Sequence, residues 1–92
     1  MIEQVELGER GENPLNDNTD VTVKLSDGRS YAFTVFTPLN LMTMMDKEKL
    51  GYFLCPDMLV LRELSEANVR AAVEEMLEDG EIERYGILQE PV

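Results

Sequence analysis

Apolar and polar positions alternate strictly along two adjacent stretches of the chain. Val21, Val23 and Leu25 interleave with Thr22, Lys24 and Ser26, and Tyr31, Phe33 and Val35 interleave with Ala32, Thr34 and Phe36. A period of two marks strands with one buried face. Asp27-Gly28 lies between them as a turn. A two-residue loop would pair Ser26 with Arg29 and set Val23 opposite Ala32, sending the aromatics to the face away from the valines. A three-residue loop of Ser26, Asp27 and Gly28, a type I turn closed by a left-handed glycine, pairs Leu25 with Arg29, Val23 with Tyr31 and Val21 with Phe33. That register gathers the large apolar groups on one face and predicts positive φ at Gly28. Phe36 falls on the opposite face and needs a partner there or a place at the strand end.

Beyond the hairpin the pattern changes period. Thr37 suits an N-cap and Pro38 the first helical position, where its missing N–H costs nothing. Leu39, Leu41, Met42 and Met45 form an inward stripe, Met44 points outward, and Gly51 stops the helix after Leu50. Residues 52–55 are a short apolar run ended by Pro56-Asp57, a strand or an extended entry into a turn. Residues 58–64 begin as a continuous apolar run, the mark of a core strand covered on both sides or central in the sheet. Ser65 caps a second helix, Glu66 favours its positive end, and Leu64 is placed to staple against Val69. Val69, Ala72, Val73, Met76 and Leu77 line its inner face, while Arg70, Glu74, Glu75 and Glu78 face out. Gly80 ends it in the left-handed region, and Ile82, Tyr85, Ile87 and Leu88 pack back as a strand or irregular tail.

Residues 1–20 read as a flexible N-terminal segment, with a short edge strand around Val5 and Leu7 followed by a turn-rich stretch from Gly8 to Asp20. Residues 21–92 form a single α+β domain. The order of elements predicts a two-layer sandwich, a mostly antiparallel sheet of about four strands with two helices on one face.

Composition narrows the chemistry. With 43% hydrophobic residues, 92 residues can fold around one core without a disulfide or metal staple. Cys55 is the single cysteine, a pattern suited to a reducing, cytoplasmic setting. No apolar run approaches the roughly 18–20 residues that span a bilayer, and the acidic opening residues lack the apolar core of a secretion signal. Eight basic against 19 acidic residues leave a net charge of −11, which opposes contact with nucleic acid or anionic lipid.

The chain has no histidine, which removes the commonest general base, imidazole-based triads and the usual zinc ligands. Cys55 sits among apolar neighbours with no adjacent cation, as an inert thiol does. Asn16, Asn18 and Asp20 imitate the opening of a calcium loop, but Val21 stands where glycine is required and Asp27 where glutamate is. Asx turns account for that segment better. These residues imply no catalytic, metal or cofactor site, and hence a chain that is not an enzyme.

Two groups suit contact with another protein. Glu74, Glu75, Glu78 and Asp79, continuing into Glu81 and Glu83, place negative charge at a helix C-terminus, where it opposes the macrodipole. Met44, beside Met42 and Met45, offers an adaptable apolar contact. The function expected first is a noncatalytic protein–protein interaction module, for instance an acidic inhibitor or immunity-type partner of a basic protein. The alternatives are a structural homo-oligomer subunit, or a small-ligand-binding domain or weak carboxylate- or tyrosine-based enzyme using the open sheet face with Tyr31, Tyr52 and a carboxylate.

The hairpin with Asp27, Gly28 and Tyr31, the helix junction with Phe36, Thr37 and Asn40, and Asp57-Met58 before the Ser65-capped helix resemble a set of small uncharacterised bacterial α+β proteins over about residues 21–78. That resemblance implies the same fold and carries no activity, cofactor or site residue.

Overall fold

A computed structural model of the chain describes residues 1–89. The elements run β1 (Ile2–Leu7), β2 (Asn18–Leu25), β3 (Ser30–Phe36), α1 (Pro38–Glu48), β4 (Met58–Val60), α2 (Glu66–Glu78), α3 (Glu81–Tyr85) and β5 (Ile87–Gln89). The fold is α+β, with a helical layer on one face of a five-stranded sheet.

The hairpin has the three-residue-loop register. Val23 pairs with Tyr31 and Val21 with Phe33, the Leu25 N–H donates to the Arg29 carbonyl at 2.8 Å, and Gly28 has φ +95°. Val21, Val23, Leu25, Tyr31, Phe33 and Val35 accordingly share the buried face. Against them pack Leu64, Val69 and Val73 from α2 and its entry, and Ile82 from α3. Phe36 is buried at the end of β3, its ring edge-on to Phe53 with centroids 5.0 Å apart.

β1 joins the sheet antiparallel to β2. Its apolar residues Ile2 and Val5 are three apart, which on a regular strand would put them on opposite faces. An irregularity between Ile2 and Gln4 absorbs the extra residue, so that Ile2 pairs with Leu25, Val5 with Val23 and Leu7 with Val21, all three packing on the core. The loop after β1 is fastened at several points. The Asp17 carboxylate accepts from the Gly11 and Asn18 N–H groups, both at 2.8 Å, and the Leu64 N–H donates to the Pro14 carbonyl at 2.7 Å.

Both helix caps form as the sequence predicts. Thr37 Oγ1 accepts from the Asn40 N–H at 3.3 Å and Ser65 Oγ from the Asn68 N–H at 3.1 Å. Thr37 is fully buried and also receives the Asp17 N–H at 3.1 Å, which ties the start of α1 to the N-terminal loop. Gly80 has φ +71° just beyond α2.

Four expectations are corrected. Residues 58–64 do not form a central core strand: β4 is three residues long, lies beside the C-terminal half of β3 in parallel, and is half-buried at Met58 and Leu59 with Val60 exposed. The chain then leaves the sheet so that Leu64 can enter the core and Ser65 can cap α2. The inward stripe on α1 is realised only in part: no residue of α1 is fully buried, Leu41 and Met45 are half-buried, Leu39 and Met42 are about half exposed, and Met44, expected to face outward, is half-buried against Asn18. Lys49, not Gly51, ends α1 in the left-handed region at φ 56°. The tail after Gly80 contains a short helix, α3, before β5 pairs antiparallel with residues 30–32 of β3. β4 and β5 thereby share one edge of β3.

Candidate functional site

α2, α3 and β4 enclose a cleft of about 300 Å³. Met58 and Leu59 come from β4, Ala72 and Met76 from α2, and together they form apolar walls. Glu75 from α2 and Glu81 and Tyr85 from α3 complete the lining. Ala72, Glu75 and Met76 stand at i, i+3 and i+4, one face of a helix. Gly80 turns the chain between the helices, and fully buried Ile82 anchors α3 so that Glu81 and Tyr85 reach the cleft. Among the described residues neither Glu75 nor Glu81 has a cation within ion-pair distance. The Arg84 guanidinium lies 6.0 Å from the Tyr85 ring centroid.

Of the residues singled out from the sequence, Glu74, Glu75, Glu78 and Asp79 are all exposed at the end of α2. Glu74 pairs with Arg70 at 3.5 Å, and the other three have no ion-pair partner among the described residues. Sequence reading located this acidic end, Glu81 included, but missed Tyr85 and the β4 residues as its neighbours. Only the packing of α3 brings them there. Met44 lies elsewhere, half-buried, its sulfur 3.9 Å from Asn18 Nδ2. Asn18 also donates to Asn40 Oδ1 at 2.9 Å, and Asn16 to Thr43 Oγ1 at 3.3 Å, so the calcium-like asparagines fasten the loop to α1.

Tyr31 and Tyr52 do not share an open sheet face. Tyr31 is buried beneath the helices with its hydroxyl accepting from Arg29, whereas Tyr52 is 73% exposed in the loop after α1. Cys55 donates its thiol proton to Asp57 Oδ1 at 3.0 Å, and Thr34 donates to Asp57 Oδ2 at 3.1 Å. The hydrogen bond to Asp57, with burial behind it, pushes the Cys55 thiol above its ordinary range. A neighbouring carboxylate opposes thiolate formation, the reverse of what a nucleophilic cysteine needs.

Two further surfaces stand out. Leu15, Pro38, Leu39 and Arg62 line an open groove of about 480 Å³, with Met42 one turn along α1 from Leu39. A depression of about 490 Å³ lies between the loop after β1 and Leu64, but both oxygens of its Asp17 carboxylate already accept backbone N–H groups, from Gly11 and Asn18.

Among the described residues no helix is long and apolar enough to cross a membrane. Compared with protein families, with curated proteins and with solved structures, the chain matches none.

Proposed function

We propose that this protein is a noncatalytic interaction module whose acidic surface, from the C-terminal half of α2 into α3, docks a basic protein. The observation that carries this reading is the set of exposed carboxylates Glu75, Glu78 and Asp79, without cation partners among the described residues, at the helix end where negative charge is least favourable. Each such charge costs about 0.3–1 kcal/mol in folding, and like charges three or four residues apart add a few tenths more. A basic partner would turn that cost into binding free energy. The single thiol, held protonated by Asp57, suits work in a reducing, cytoplasmic compartment.

The test compares capture of proteins from native lysate by the wild-type chain and by a Glu74→Gln, Glu75→Gln, Glu78→Gln, Asp79→Asn variant, at low and high salt. A basic protein held by the wild type at low salt, and released by either salt or the variant, supports the reading. Capture indifferent to both rejects it.

A second reading, a structural homo-oligomer, is favoured by α1, which buries none of its residues and exposes Leu39 and Met42 beside the apolar groove. Salt separates the two. Self-association of chains carrying −11 each should strengthen as salt screens their repulsion, whereas docking of a basic protein should weaken. Sedimentation velocity across a salt series reads the first directly.

A further inference from the structure

We infer that the cleft between α2, α3 and β4 is a recess for one long cationic side chain, lysine or arginine, presented by the basic partner. The inference rests on the interaction reading above and specifies its point of attachment. The volume of about 300 Å³ lies at the lower end of the range that accepts small organic groups. Its walls, Met58, Leu59, Ala72 and Met76, are apolar, while its charged lining groups are the carboxylates of Glu75 and Glu81. Lysine and arginine match that division, with an aliphatic stem for the walls and a cationic head for the carboxylates. A neutral apolar side chain would strip water from the carboxylates without replacing it, and an acidic one would be repelled. A short cation would satisfy the carboxylates but leave the walls wet. The two methionines suit a flexible guest, because their unbranched side chains adjust to its path.

The six methionines supply the readout, since Met58 and Met76 line the cleft and Met1, Met42, Met44 and Met45 do not. The full chain, labelled with ¹³C at its methionine methyls, is titrated with n-butylammonium and with n-propylguanidinium, which reproduce the two side chains. n-Butanol serves as the neutral isostere and sodium chloride as the ionic-strength control. The expected result is saturable shifts at Met58 and Met76 alone, with the cations bound about tenfold more tightly than the alcohol, as two solvent-accessible charge pairs allow. Glu75→Gln with Glu81→Gln should remove that tenfold advantage, and Ala72→Phe should abolish the shifts by filling the cleft. Should Ala72→Phe fail to fold, the glutamine pair, one exposed and one half-buried, still decides the matter.

Equal binding of n-butanol, shifts reproduced by sodium chloride, or equal movement of all methionines would overturn the inference. If the cations do not bind but salt-sensitive capture of a basic protein persists, the recess falls and the interaction reading stands. If the cations bind and no basic protein is captured, the interaction reading falls and with it the assignment of the recess to a partner's side chain.

Discussion

Replacing Gly86 by alanine should destabilise this protein through a collision that no local rule would reveal. A Cβ added at Gly86 would lie 2.8 Å from Phe33 Cζ, 3.0 Å from Phe33 Cε2 and 2.8 Å from the Ile82 carbonyl oxygen. Carbon atoms in contact prefer about 3.5–4.0 Å, so the methyl group overlaps the ring by more than half an ångström. Phe33 is 1% exposed at the centre of the core, where close-packed neighbours resist its shifting, while the Ile82 carbonyl is held by the Gly86 N–H at 2.9 Å. Overpacking of this kind costs about 1–3 kcal/mol. For a domain of this size that corresponds to a fall in melting temperature of roughly 4–8 °C per kcal/mol.

Urea unfolding followed by circular dichroism measures the change, with an unchanged slope against denaturant confirming that stability alone has moved. Two other glycines separate space from backbone geometry. Gly51→Ala has no atom within 4 Å of the new Cβ and should be neutral or slightly stabilising. Gly28→Ala is equally open but sits at φ +95°, so it should cost about 1–2 kcal/mol through strain alone. Phe33→Leu removes the ring atoms nearest Gly86 and should partly rescue Gly86→Ala in a double-mutant cycle, leaving the clash with the Ile82 carbonyl. If Gly86→Ala proves as harmless as Gly51→Ala, the close approach of the α3–β5 turn to Phe33 is wrong, and the placement of Glu81 and Tyr85 in the cleft loses its support.

Thr37→Val keeps the shape of a fully buried side chain but leaves the Asp17 and Asn40 N–H groups without their acceptor. It should cost about 1–3 kcal/mol, against roughly 1 kcal/mol for Ser65→Ala at the more exposed cap, both read by denaturant unfolding. Alkylation of Cys55 should show a midpoint above that of an ordinary thiol, because ionising it places a thiolate beside the Asp57 carboxylate. Asp57→Asn removes that negative charge, so the midpoint should fall and the rate at mildly alkaline pH should rise; a midpoint that stays put would discount the contact. Glu78→Gln should raise thermal stability by about 0.3–1 kcal/mol at low salt by relieving the α2 dipole, with the gain shrinking as salt is added. A loss of stability instead would show that Glu78 makes a favourable contact in the folded chain.

The features legible in the sequence are those decided within a few residues. The loop through Ser26, Asp27 and Gly28 and the two alternating strands permit only one register that unites Val21, Val23, Leu25, Tyr31 and Phe33, and that register is present. Thr37 and Ser65 cap their helices because a side-chain oxygen three residues from an unpaired N–H needs no distant partner. The acidic end of α2 was visible for the same reason, being a matter of helical spacing alone. Hydrophobic periodicity, by contrast, records which side chains could be buried and not whether a surface exists to bury them. The sheet is already covered by α2 and α3, so Leu39 and Met42 on α1 remain exposed and the apolar run from Met58 contributes only three residues at the edge of β3. Burial of Ile82 and the close contact at Gly86 place α3, which brings Glu81 and Tyr85 across from Met58 and Leu59. The sequence by itself determined the hairpin, the caps and the charge, all short-range; the exposure of Leu39 and Met42 on α1 and the cleft were decided only by tertiary packing, because they depend on which distant surfaces compete for the same core.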